Sequence, residues 1–266
     1  MRRAPLAAGL AMVLAGAAHA ADAPREVVTE LAPRGTLRVA INYGNGVLAQ
    51  RDPAGGPARG VSGELARALA ERLGVPIQYV GYDAAGKVTD AAKDDVWDVC
   101  FLAIDPVRGE GIAFTAAYVI IEGAYLVPQA SPLKAVDDVD RSGVRVAVGK
   151  GSAYDLYLTR ALKQATLVRA TSSPAALDQF LTEKLEVAAG VKQPIVAFAA
   201  AHPETRVIPG RFMVIEQAMG TPKQRVAGVR YLKRFVEDMK ASGMVARALQ
   251  ASNQPDAAVA PAAPVD

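Results

Sequence analysis

One arginine lies shortly after the segment that most resembles a buried strand. The run WDVCFLAI, Trp97 to Ile104, is apolar and rich in β-forming residues, and three residues separate it from Arg108. A guanidinium is a planar, permanently charged fork that can bind a carboxylate through two parallel hydrogen bonds. Arg108 is therefore a candidate anchor for an anionic ligand. A surface ion pair with Glu110 would account for it equally well.

A second candidate anion site lies in VRVAVGKGSAYDLYL, where a predicted strand leads through Gly-Lys-Gly-Ser into a predicted helix. The first backbone N–H groups of a helix are free to donate, and the helix dipole favours negative charge there. The glycine spacing of a phosphate-binding P-loop is missing. The turn at Gly151, Ser152 and Ala153 is thus either a plain capped turn or a second set of ligand donors.

The chain has few residues for covalent or metal chemistry. Cys100 is the only cysteine and lies inside the apolar run, so we expect a buried thiol and no intrachain disulfide. His202 is the only histidine beyond residue 20. No metal cluster and no Ser-His or Cys-His pair has an obvious set of residues, and we expect no cofactor.

The first twenty residues have the pattern of a cleavable signal peptide. Two arginines precede an apolar segment from Leu6 to about Ala17, and residues 18–20 form an A-x-A cleavage pattern. The segment is shorter than the roughly 20 residues of a membrane-spanning helix, which makes an uncleaved anchor the weaker alternative. We predict cleavage after Ala20.

The remaining chain is nearly neutral. Residues 1–20 contain two arginines and no acid, so their removal lowers the net formal charge from +3 to +1. Such a chain has neither the basic stripe of a nucleic-acid-binding protein nor an acidic tail. Its apolar residues fall in short periodic segments, and we expect a soluble protein outside the cytoplasm that binds no nucleic acid.

The elements that would position the two anion sites form two α/β series. In the first, the strands GTLRVAI and VPIQYV flank a helix capped by Ser62, with leucines at one-turn spacing and Gly74 at its C′ position. This βαβ unit implies parallel strands. A second helix is predicted over Ala84 to Lys93, and a long extended segment, Tyr118 to Pro128, could run from one lobe into another.

Strands and helices alternate again from VRVAVG onward, and a pair of helices broken at Gly243 ends this second part. The Ala/Pro-rich tail, residues 251–266, is predicted to be disordered. Open parallel sheets bind ligands at the carboxyl ends of their strands. Arg108 and the Gly-Lys-Gly-Ser turn both lie there, which indicates two lobes with a cleft between them.

These motifs together resemble those of family 3 extracellular solute-binding proteins, the amino-acid-binding type that supplies ABC importers. The similar segments are GTLRVA, GVSGELARALAERLGV, WDVCFLAIDPVRGEGIAFT and VRVAVGKGSAYDLYL, and the resemblance spans Gly35 to Leu249. It implies an α/β, type II periplasmic binding protein (Venus-flytrap) fold, in which each lobe is a βα sheet sandwich. Lobe 1 would comprise residues 35–127 and 213–250, and lobe 2 residues 128–212.

The resemblance also implies roles for individual residues. Arg108 would hold the ligand carboxylate, while Gly151, Ser152 and Ala153 would add hydrogen bonds from the other lobe. Ala103 stands where the family often has a Thr or Ser hydroxyl, so one carboxylate contact is lost.

The family's acid for an α-ammonium group aligns with Val191 or Lys192, neither of which can pair with an ammonium. Lys192 would favour a second anionic group if it faces the cleft, and would have no role as a surface residue. Glu122 could replace the missing acid from the hinge side. Further candidates for the wall are Asn42, Asn45 and Tyr82.

The predicted function is that of a monomeric periplasmic receptor without catalytic residues. It would bind a small carboxylate-bearing solute, an amino acid or a related organic acid, by lobe closure and deliver it to an inner-membrane ABC permease. One alternative is an enzyme on the same scaffold, similar to periplasmic dehydratases of cyclic acids, with Glu122 or Lys192 as acid or base. Another is a ligand-poor sensory or accessory binding protein.

Overall fold

The structure, a computed structural model, describes residues 23–254 and 256–265, so the predicted signal peptide lies outside the described residues. The helices are α1 Arg25–Leu31, α2 Val61–Leu73, α3 Ala85–Asp90, α4 Ala153–Ala161, α5 Ser173–Thr182, α6 Lys192–Ala201, α7 Val226–Ala241 and α8 Met244–Ala251. The strands are β1 Leu37–Asn42, β2 Ile77–Tyr82, β3 Val99–Ala103, β4 Ile112–Pro128, β5 Arg145–Gly149, β6 Thr166–Ala170, β7 Val187–Val191, β8 Thr205–Val207, β9 Met213–Pro222 and β10 Ala258–Val259. Within this part of the chain, no helix is both long and apolar enough to span a membrane.

Hydrogen bonding joins the strands in the order β2-β1-β3-β9-β4-β7-β5-β6, with β8 and β10 added to β4. Lobe 1 is built on the parallel strands β2, β1 and β3, and lobe 2 on the parallel strands β6, β5 and β7. The antiparallel pair β4 and β9 connects them, because β4 pairs with β9 first and then with β7. The predicted α/β architecture of two sheet-based lobes is confirmed.

Both faces of each half-sheet are covered. In lobe 2, Val146 and Val148 pack against α4, while Ala147 between them packs against α5 on the opposite face. Successive side chains of a strand point to opposite faces, so a strand covered on both sides is apolar throughout. Lobe 1 repeats this arrangement, with Cys100 fully buried as predicted and burial raising the pKa of its thiol to about 12.

Two glycines end helices where the sequence predicts it, and one predicted cap is wrong. Gly74 has φ of +66° after α2, and Gly243 has φ of +73° between α7 and α8, a conformation that glycine adopts without strain. Helix α2 begins two residues earlier than expected, with Gly60 as its N-cap. Ser62 is buried inside the helix instead, and its hydroxyl lies 3.3 Å from the phenolic oxygen of Tyr118.

The prediction of a disordered tail is also wrong for the part that the structure describes. Residues 258–259 form β10, which pairs antiparallel with Val119 and Ile120 of β4. Ala257 and Ala260 are buried, and Lys240 donates a hydrogen bond to the carbonyl of Pro261. The composition of the tail does not reveal this, because its partner strand lies more than a hundred residues away in the sequence.

Candidate functional site

Arg108 lies in a 3₁₀ turn just after β3, and only 1% of it is exposed. Its Nη1 donates to the carbonyl of Ala103 at 2.9 Å, and its Nη2 donates across the cleft to the carbonyl of Gly151 at 2.8 Å. Nε is buried without a partner. A guanidinium has five N–H donors, so three of them have no acceptor in the described protein.

This buried cation has no direct acidic partner among the described side chains. The carboxylate of Asp105 is nearby, but it accepts a hydrogen bond from Arg160 of lobe 2 at 2.7 Å. Burial lowers the pKa of Arg108 to about 10, and the nearby Asp105 opposes that shift. The guanidinium therefore stays charged at neutral pH, and a buried charge requires compensation.

On the facing lobe, the turn at Gly151 leads into α4. Ser152 caps the helix by accepting a hydrogen bond from the N–H of Asp155, and the carboxylate of Asp155 accepts one from the N–H of Gly151 at 2.8 Å. The first N–H groups of a helix have no partner inside it. The N–H groups of Ala153 and Tyr154 are the first two of α4, and both residues line the cavity between the lobes.

The lobes are closed on each other at two glycines. A methyl group built on Gly151, whose φ is +70°, would lie 2.6 Å from the Cα of Gly86 at the start of α3. The Arg108–Gly151 hydrogen bond and the Asp105–Arg160 ion pair cross the same contact.

The closed lobes enclose a cavity of about 340 Å³. Its apolar wall includes Leu48, Phe101, Leu177, Val191, Ile195 and Ile215. Its polar lining includes Asn42, Asn45, Ser62, Ser152, Ser173 and Gln217. Apolar walls with a few polar groups are typical of small-molecule sites.

Six of the predicted site residues line this cavity, namely Asn42, Asn45, Ala103, Arg108, Ser152 and Ala153. Gly151 does not line the cavity, but its carbonyl oxygen accepts a hydrogen bond from Arg108. The contribution of each to ligand binding stays a prediction.

Lys192, Glu122 and Tyr82 do not belong to the cavity lining. Lys192 donates to Glu122 at 2.8 Å, and Arg211 donates to the other oxygen of the same carboxylate at 2.6 Å. The cause is strand register: Gly123 pairs with Val191, so the residues beside them meet at the sheet instead of in the cleft. Lys192, followed by Arg211, lowers the pKa of Glu122. Tyr82 packs against the core cluster around Trp97.

Sequence reasoning missed several cavity residues. Gln217 on β9 reaches the cavity because it pairs with Ala103 of β3, a long-range register that no local pattern shows. Tyr43, whose orientation the sequence leaves open, lines the cavity, and the guanidinium of Arg51 lies over its ring, 4.1 Å from the centroid. Phe101, two residues before Ala103 on the same strand, could have been found from strand alternation.

Two sheet-based lobes closed over one cavity define a solute-binding protein. The family model described as "Bacterial extracellular solute-binding proteins, family 3" matches residues 37–251, and the chain belongs to this family. No curated protein sequence matches the chain.

Several solved structures have the same fold. A receptor for L-cysteine of Neisseria gonorrhoeae is 18% identical with a TM-score of 0.74, and the match covers 86% of this chain and 94% of that one. A mutant of ArgBP from T. maritima is 19% identical with a TM-score of 0.73, covering 85% and 99%. An ancestral amino-acid-binding protein, described as a precursor of cyclohexadienyl dehydratase, is 21% identical with a TM-score of 0.70, covering 84% and 98%. At sequence identities of 18% to 21%, the similarity to these structures shows a shared fold and nothing further.

Proposed function

We propose that the protein is the periplasmic substrate-binding component of an ABC importer and binds a small carboxylate-bearing solute between its lobes. One observation carries the proposal. Arg108 is a fully buried guanidinium at the wall of an interlobe cavity, with no acidic partner in the described chain and its Nε unpaired. A ligand carboxylate would supply the missing negative charge and accept the free N–H groups.

The second lobe would complete the binding of the carboxylate. The N–H groups of Ala153 and Tyr154, which have no partner inside α4, lie at the positive end of this helix, where an anion is favoured. Because Arg108 belongs to lobe 1 and these donors to lobe 2, a carboxylate that bridges them stabilises the closed form over the open one. A ligand shifts the equilibrium only by such a difference in affinity.

The relatives support the transport role. The family consists of extracellular solute-binding proteins, and one structure of similar fold is described as a binding component of an ABC transporter from Wolinella succinogenes, complexed with lysine. The pattern of residues 1–20 agrees with export, which would place the mature protein in the periplasm.

The enzymatic alternative loses the two residues on which it depends. General acid–base catalysis requires a proton donor or acceptor in the cavity. Glu122 and Lys192 pair with each other outside it, and the described lining contains no Asp, Glu, His, Lys or Cys, which leaves the phenols of Tyr43 and Tyr154 as its candidate acids or bases. Binding with closure is therefore the better-supported function.

The direct test is calorimetry of the mature protein against amino acids, keto acids and dicarboxylates. Arg108→Ala should weaken the binding of any carboxylate ligand by about 2 to 5 kcal/mol, since it removes one partner of a desolvated charge pair. Arg108→Lys keeps the charge but not the fork and should recover only part of this loss. Arg145→Ala is the matched control, because Arg145 is a half-exposed arginine that pairs with Glu186 on lobe 2 outside the cavity lining. Absence of carboxylate binding, or equal affinities in the Ala variant and wild type, would refute the proposal.

A further inference from the structure

We propose that the ligand is an organic acid without an ammonium group and with an apolar body, so that the cavity selects against amino acids. The inference rests on the proposed function, because it takes Arg108 as the carboxylate anchor. It follows from the described lining of the cavity, which has Arg108 as its one charged side chain, an extensive apolar wall and no acid.

The first argument is the charge balance of the closed cavity. Among the described residues that line it, Arg108 is the only one with a charged side chain. A ligand carboxylate neutralises that charge. An amino acid would bring a second, positive group, which would then be buried without an anionic partner, and unpaired buried charges are strongly unfavourable.

Three acids near the site already have ion-pair partners. Asp105 accepts from Arg160 at 2.7 Å and from the N–H of Val107 at 2.9 Å. Asp155 accepts from Arg169 at 2.9 Å and also holds the N–H of the Gly151 turn. Glu122, in the middle of β4, accepts hydrogen bonds from Lys192 and Arg211 of lobe 2. Recruiting any of them for an ammonium would break existing ion pairs.

The wall opposite lobe 1 is apolar where α6 begins. Val191 is the N-cap of this helix and lines the cavity together with Ile195 and Leu177. Val191 has no side-chain acceptor for the first N–H groups of the helix, so the positive end of the α6 dipole is uncompensated there. That end repels a cation, while the aliphatic side chains suit a hydrocarbon body.

One polar group indicates what else the acid can carry. Oδ1 of Asn45 is buried without a hydrogen-bond partner, and Asn45 lines the cavity. Because Asn45 lines the cavity, its side-chain amide can donate a hydrogen bond to a ligand hydroxyl or accept one from it. The cavity of about 340 Å³ lies near the lower end of the range for small-molecule sites. An aliphatic or aromatic monocarboxylate, with or without an α-hydroxyl, matches these properties.

The test compares acids that share one carbon skeleton. The mature protein is titrated calorimetrically with L-leucine, isocaproate and leucic acid, and with L-phenylalanine, hydrocinnamate and phenyllactate. We expect the acids without the amine to bind about tenfold or more tightly than the matching amino acid. Equal or tighter binding of an amino acid would overturn the inference while leaving the proposed function intact. If no acid of either set binds, the inference of an apolar monocarboxylate fails, whereas the proposed function fails only if the wider set of amino acids, keto acids and dicarboxylates also contains no ligand.

A pair of variants tests the residue that excludes the ammonium. Val191→Asp places an acid at the cavity wall, and Val191→Asn adds a side chain of the same shape without charge. Asp and Asn are both favourable N-cap residues, so both variants should fold, as checked by thermal melting. We expect the Asp variant to shift the ratio of affinities toward the amino acid by about tenfold or more, and the Asn variant to leave it nearly unchanged. An unchanged ratio in the Asp variant would overturn the role of Val191.

Discussion

Replacing Gly151 by alanine should hinder closure of the lobes and thereby weaken ligand binding. In the closed structure the added methyl group would lie 2.6 Å from the Cα of Gly86. Two carbon atoms pack at about 3.5 to 4.0 Å, so the lobes must separate by roughly 1 Å at this point. Backbone forms both sides of the contact, and no flexible side chain can move aside.

The size of the effect follows from the hydrogen bond that this separation stretches. Nη2 of Arg108 donates to the carbonyl of Gly151 at 2.8 Å, and an added 1 Å brings the pair beyond hydrogen-bonding distance. A hydrogen bond to a charged group contributes about 1.5 to 3 kcal/mol. The affinity for a ligand that requires the closed form should therefore fall about 10- to 150-fold.

Gly143→Ala is the matched control. Gly143 also has a positive φ, of +85°, and lies in lobe 2, but a methyl group there would meet nothing within 4 Å. Both variants incur the cost of alanine in a left-handed conformation, whereas only the variant at Gly151 meets the other lobe. Calorimetry would measure the affinities, and small-angle X-ray scattering with ligand would compare the radii of gyration. Equal affinities and equal radii for the two variants would refute the argument from closure.

Two further predictions concern stability and pH. Asp98→Ala should lower the free energy of unfolding by about 3 to 5 kcal/mol in urea denaturation, because it removes the fully buried carboxylate that pairs with Arg38 and Arg225. Asp95 pairs with the same two arginines but is largely exposed, so Asp95→Ala should have little effect, and equal effects of the two variants would contradict this explanation. Carboxylate affinity should stay constant between about pH 6 and 8 and weaken only toward pH 10. The reason is that the protonated guanidinium is the binding form, and burial lowers the pKa of Arg108 only to about 10. Calorimetry across this range would contradict the role of Arg108 as the carboxylate anchor if the affinity changed with a midpoint between pH 6 and 8.

Local sequence signals identified much of the scaffold. The helix ends at Gly74 and Gly243 were predictable because glycine is favoured wherever φ is positive. The buried strand that precedes Arg108 was predictable because a strand covered on both faces is apolar throughout. These signals depend on residues close together in the sequence, and the family resemblance combines several of them.

Elements that depend on distant partners were missed or misread. Helix α1 was not predicted; its Leu31 is fully buried and packs against Gly228 of α7. The strand in the tail forms on β4, and its Ala/Pro-rich composition favours disorder when considered alone. In both cases the stabilising contact is made by a surface that the local sequence does not describe.

The same distinction holds within the cavity. Residue types and their order along the chain were enough to place a candidate anion-binding arginine after a strand and a helix start on the facing lobe, because both follow from where parallel strands end. Folding determined that Lys192 pairs with Glu122 outside the cavity, that Gln217 enters it beside Ala103, and that Gly86 meets Gly151. Each of these outcomes depends on strand register or on lobe-to-lobe distance, which arise from packing between segments remote in sequence.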